Sequence, residues 1–149
     1  MDTTPELVTL EPETGIAIRA KVAISELPSF FGAAFSELAT CAGDKVAGPP
    51  FARYFTFDPA GVDVEAIFPL RAQVAVTGRV HPVALPGGPA VQVKHVGSYS
   101  DLGLTYQSIE EWIDDHHKQK ADVIREVYLT APTVPPTEQV TLVVQPLQA

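Results

Sequence analysis

The tripeptide Ser25-Glu26-Leu27 returns 75 residues later as Ser100-Asp101-Leu102, and the patterns on either side return in the same order. From Ile16 to Ile24, Ile16, Ile18, Ala20, Val22 and Ile24 alternate with Ala17, Arg19, Lys21 and Ala23, which predicts a strand with one buried face. Ser25 reads as a helix N-cap, and Leu27, Phe31, Ala34, Phe35, Leu38 and Ala42 recur at helical spacing up to Gly43, a residue suited to end a helix. Strand-like runs Phe51 to Phe57 and Val62 to Leu70 follow, joined across Asp58-Pro59-Ala60-Gly61. The order is β-α-β-β. After an expected linker at Gly78 to Pro89, it recurs as Ala90 to Val96, a cap at Ser100, a stripe of Leu102, Tyr106, Ile109 and Ile113, and strands at Val123 to Thr130 and Gln139 to Gln145.

At the same offset Ile18 falls on Val93 and Arg19 on Lys94, while Pro59 falls on Pro132 and Pro69-Leu70 on Pro146-Leu147 with drifts of two residues. Loop insertions absorb such drifts in a repeat. A lone unit of one helix on three strands leaves apolar surface exposed, so two units are expected to pair. The expected fold is therefore α+β, a tandem β-α-β-β repeat with pseudo-twofold symmetry. It would form one curved antiparallel sheet with two helices on one face and a cleft at the seam. The chain is read as a single domain, residues 1–149, with repeat units at about 16–72 and 90–147. In the last strand pair Asp63 and Glu65 align with Val140 and Leu142, so the halves differ in chemistry.

Charge and cysteine content narrow the function classes. Ten Lys and Arg against 18 Asp and Glu give a net charge of -8, which repels a phosphate backbone and argues against direct nucleic-acid binding. No run approaches the ~20 apolar residues of a membrane span. The first fifteen residues are acidic and carry no apolar signal core, and the single cysteine, Cys41, makes no internal disulfide. The expected location is the cytoplasm. His116-His117 with Asp114 resembles a metal set only superficially, because adjacent helical residues point in different directions, and no metal or cofactor is expected. Neither His95 nor His81 is marked as a haem ligand. A Gly-rich phosphate loop and a Ser-His-Asp pattern are both absent.

Glu126 is the most informative polar residue. It lies among Val123, Ile124, Val127 and Leu129, so burial is expected and its carboxylate needs a partner. Strand alternation puts Ile124, Glu126 and Tyr128 on one face, and the repeat aligns Glu126 with Arg53, a conceivable ion-pair partner. Tyr106 and Trp112 flank the inner stripe of the second helix. Tyr99 reads as packing the turn before it.

The run His95-Val96-Gly97-Ser98-Tyr99-Ser100-Asp101-Leu102, the helix reaching Glu111-Trp112, the segment Arg125-Glu126-Val127-Tyr128-Leu129 and Arg53-Tyr54 in the first half resemble the GyrI-like small-molecule-binding family. That family supplies the effector-binding domains of AraC-type and MerR-type multidrug regulators. The resemblance spans about residues 5 to 147. It implies a central pocket lined by a glutamate and aromatics that takes bulky hydrophobic, often cationic aromatic compounds, carried here by Glu126, Tyr128, Trp112, Tyr106, Tyr54 and Phe55. Phe55 replaces the family's usual aspartate after Arg-Tyr, which implies a more apolar pocket. No helix-turn-helix precedes the domain, so the expected role is a stand-alone binding protein for sequestration or sensing. Two alternatives stay open with it. Some family members hydrolyse cyclopropane-bearing electrophiles, which would make Glu126 a general base. The family also includes an inhibitor of DNA gyrase, which implies a protein partner. Ligand identity and oligomeric state are left open.

Overall fold

The computed structural model describes residues 4–131 and 133–149. Pro132, the expected counterpart of Pro59, lies outside them. Among the described residues the chain forms β1 (Glu6–Leu10), β2 (Glu13–Val22), α1 (Leu27–Ala42), β3 (Phe51–Asp58), β4 (Gly61–Leu70), β5 (His81–Leu85), β6 (Gly88–Val96), α2 (Leu102–Asp115), β7 (Arg125–Tyr128) and β8 (Val140–Pro146). This is the α+β tandem architecture expected from the repeat. Two compact units result, one of Pro12–Pro86 and one of Gly87–Ala149 with the N-terminal segment ending at Glu11.

In the first unit the strands run β3-β4-β2-β5, all antiparallel neighbours. Buried Phe30, Ala34 and Leu38 turn α1 towards the face that carries Ile16, Ile18, Val64 and Ala66. In the second unit the order is β7-β8-β6-β1, again antiparallel. Its core joins Leu102, Ile109 and Ile113 of α2 to Val91, Val93 and Val143 of the sheet, with Leu147 beyond it. The two orders match strand for strand, down to the edges. Val83 of β5 pairs with Gly15, and Val8 of β1 pairs with Ala90, its counterpart 75 residues on.

Neither edge strand was expected. The span from Gly78 to Pro89 was read as a linker, yet it contains β5 and the start of β6. Pro82 is tolerated there because β5 is an edge strand, where one row of backbone N–H groups has no neighbour to meet. β1 is five residues between Pro5 and Pro12, too short for alternation to register. Both caps also shift. Ser25 and Ser100 sit inside one-turn 3-10 segments, and the N-cap positions are Ala23 and Ser98, again 75 residues apart. Glu26 Oε1 accepts the Ala23 N–H at 2.9 Å, whereas Ser98 Oγ accepts the Ser100 N–H at 3.2 Å. Gly43 does end α1, at φ 55°.

Candidate functional site

β7 is short, but its register on β8 is unambiguous: Glu126 faces Val143 and Tyr128 faces Thr141. Because register partners share a face and Val143 belongs to the core under α2, Glu126 and Tyr128 point to the helix side of the sheet. Ile124 packs against the same core, as the alternation predicts. Glu126 is only 7% exposed. Its burial is offset by two phenols, one on each oxygen. Tyr106 of α2 donates a hydrogen bond to Oε2, and Tyr128 donates to Oε1 at 3.1 Å. Charged acceptors make stronger hydrogen bonds than neutral ones, so two phenolic donors suit a carboxylate at this place.

Tyr99 extends the group. Its ring meets that of Tyr128 edge-on, with centroids 6.2 Å apart and planes at 78°. Burial, and secondarily the charge of Glu126, holds the Tyr99 phenol above its ordinary value of 10.0. Tyr99 thus does more than pack the turn before α2, the role its sequence position predicts. The local signal was present in Gly97-Ser98-Tyr99, where Gly97 at φ 135° lets the chain leave β6 sharply.

Trp112 stands apart from this group. Six helical residues separate it from Tyr106, a rise of about 9 Å, and the two flank the buried stripe on opposite sides. Trp112 stacks on His116 at 4.0 Å, and His116 Nδ1 lies 2.8 Å from the Trp112 carbonyl. The imidazole at position 116 thus closes the end of α2.

In the first unit Tyr54 and Phe55 part company. A bulge between Tyr54 and Thr56 leaves Tyr54 on the helix side, edge-on to Phe31 and stacked on Phe57. Phe55 lies with the guanidinium carbons of Arg19 and Arg53 at 3.7 and 5.1 Å from its ring centre. Those arginines belong to the opposite face, where Arg19 pairs with Asp63 and Arg53 with the buried Glu65. The alignment of Arg53 with Glu126 is likewise corrected by register. Ala52 faces Ala66 and Tyr54 faces Val64, so the counterpart of Glu126 is Ala52 and that of Tyr128 is Tyr54. Only one of the two units therefore carries a carboxylate at this place. Phe57, one residue before the end of β3, is 61% exposed.

The first unit also has a groove of about 340 Å³ beside α1 that contains Cys41, with Sγ 3.8 Å from Thr77 Oγ1 and with Glu37 and Arg79 paired at 2.8 Å. No helix among the described residues is long and apolar enough to cross a membrane.

A tandem α+β chain presenting a buried carboxylate ringed by phenols on the helix side of one sheet has the makings of a small-molecule-binding domain. Comparison with known proteins bears this out: residues 3–148 match the GyrI-like small molecule binding domain, and the chain belongs to that family. Several solved structures share the fold. The EcmrR C-terminal domain superposes with a TM-score of 0.87 at 18% identity, over 99% of both chains. A hydrolase from Listeria innocua gives 0.78 at 15% identity, over 99% of this chain and 93% of the other. SAV2435 bound to tetraphenylphosphonium gives 0.67 at 10% identity, over 97% and 94%. No curated protein sequence matches the chain.

Proposed function

We propose that this protein binds bulky hydrophobic organic cations and sequesters or senses them, with Glu126 as the compensating charge and Tyr106, Tyr128 and Tyr99 as the aromatic surround. The observation that carries this reading is the buried Glu126 carboxylate, each oxygen of which accepts a phenolic proton. A carboxylate so held offers a fixed negative potential in a medium less polar than water, and aromatic faces attract cations. The ligand-bound state of SAV2435 supports the same class of guest. The proposed compartment is the cytoplasm, in keeping with a free, half-buried Cys41 as the single cysteine.

Calorimetric titration with tetraphenylphosphonium and with neutral triphenylphosphine oxide tests the reading. Glu126→Gln should weaken the cation about 10- to 100-fold and the neutral compound less than about threefold. Equal losses, or no binding of the cation by the wild type, would reject it.

A further inference from the structure

The loop that brings Tyr99 to Tyr128 is held by a residue that the binding function leaves unassigned. His95, at the end of β6, is buried on the helix side of the sheet. Its Nε2 lies 2.9 Å from the Ser98 carbonyl and its Nδ1 lies 3.0 Å from Thr105 Oγ1. A carbonyl only accepts, so Nε2 carries the proton and donates it. In the neutral ring Nδ1 then accepts from the Thr105 hydroxyl, one turn inside α2. One imidazole thus ties the turn at Ser98 to the helix that follows it.

The sheet register shows what that tie spans. Thr141 of β8 faces His95 on one side and Tyr128 on the other, so the three form a row across three strands on one face. Strand spacing puts the outer two about 10 Å apart. Tyr99 follows Gly97 out of β6 and meets Tyr128 edge-on, while Thr141, between the outer two of the row, is fully buried.

We propose that His95 is a positioning residue for the ligand site: its imidazole pins the turn at residues 97–101 so that Tyr99 is held against Tyr128 beside Glu126. Its effect on ligand affinity rests on the binding function proposed above, whereas its effect on Tyr99 does not.

Two side chains divide the work of the imidazole. Gln reaches the Nε2 position and can still donate to the Ser98 carbonyl, while Asn reaches only as far as Nδ1. Two readouts are compared in His95→Gln and His95→Asn. One is the ionisation of Tyr99, followed as tyrosinate absorbance against a Tyr99→Phe background. The other is the calorimetric affinity for tetraphenylphosphonium. In His95→Asn the Tyr99 midpoint should fall towards the ordinary range and affinity should drop about 2- to 10-fold, the worth of one aromatic contact. His95→Gln should stay close to wild type in both. A folded His95→Asn that loses stability but titrates Tyr99 as the wild type does would overturn the proposal, as would an affinity loss without the shift in Tyr99. If His95→Asn does not fold, His95→Met, which fills the same space as Gln but cannot donate to the Ser98 carbonyl, should move both readouts the same way, and an unmoved Tyr99 there again overturns it. A wild type that fails to bind the phosphonium ion rejects the binding function instead, and the Tyr99 midpoint still decides the role of His95.

Discussion

The hydroxyl of Tyr106, on the second helix, donates to the carboxylate of Glu126, on the seventh strand, and so ties helix to sheet through a buried acid. Removing the donor leaves a buried charged acceptor short of a partner. Tyr106→Phe should therefore destabilise the protein by about 1–3 kcal/mol in urea unfolding. Tyr128→Phe removes the other phenol and should destabilise the protein within the same range. An indistinguishable Tyr106→Phe would mean that the phenol contributes nothing to holding the carboxylate.

Tyr99 provides an alkaline signature. Its phenol is raised in the folded state by burial first and by Glu126 second. The unfolded chain therefore releases this proton first as pH rises. The stability contributed by the protonated phenol is complete below the unfolded value and is lost as pH climbs through the folded one. The tyrosinate absorbance that disappears in Tyr99→Phe should have a midpoint above 10.0. In Glu126→Gln it should fall only part of the way back, since burial remains.

On the face of the first unit opposite α1, two of the ion pairs differ in weight. Arg53 and Glu65 are 14% and 4% exposed at 2.7 Å, whereas Arg19 and Asp63 are 46% and 24% exposed at 2.8 Å. Glu65→Ala removes the buried carboxylate that Arg53 and His81 approach and should cost about 3–5 kcal/mol. Asp63→Asn should cost less than about 1 kcal/mol at neutral pH. The Asp63 carboxyl is held below its ordinary value chiefly by the hydrogen bond from Arg19. Its contribution is present above the unfolded value and is lost as pH falls through the folded one. Thermal melts of Asp63→Asn and wild type should thus converge in strong acid.

Gly43 closes the first helix at φ 55°, with no atom within 4 Å of a built Cβ. Any cost of Gly43→Ala is then conformational, expected at about 1–3 kcal/mol in chemical unfolding. A neutral substitution would show that the helix end relaxes into another turn.

Much of this architecture is written locally. The spacing of Leu27, Ala34, Leu38 and Ala42, and of Leu102, Ile109 and Ile113, encodes two helices, because a buried stripe must recur at about 3.6 residues. Alternation from Ile16 to Val22 encodes a strand for the same kind of reason. The apolar neighbours of Glu126 foretell its burial, and the repeat foretells two units with one strand order.

What the sequence alone did not determine depends on pairing between distant segments. β1 and β5 lie outside the units of about 16–72 and 90–147 that the sequence marks, and become strands because β6 and β2 offer them an edge. A slip of one residue turns a strand over, so the loop that separates α1 from β3 decides whether Glu126 matches Arg53 or Ala52, and only the ladder settles it as Ala52. The bulge that sends Phe55 to the arginines and leaves Tyr54 with Phe31 is a property of the β3–β4 pair. Residue types and periods therefore determined which elements form and that an acid is buried. Tertiary pairing decided which side chains stand beside that acid, because hydrogen-bond register is a relation between strands that neither strand carries by itself.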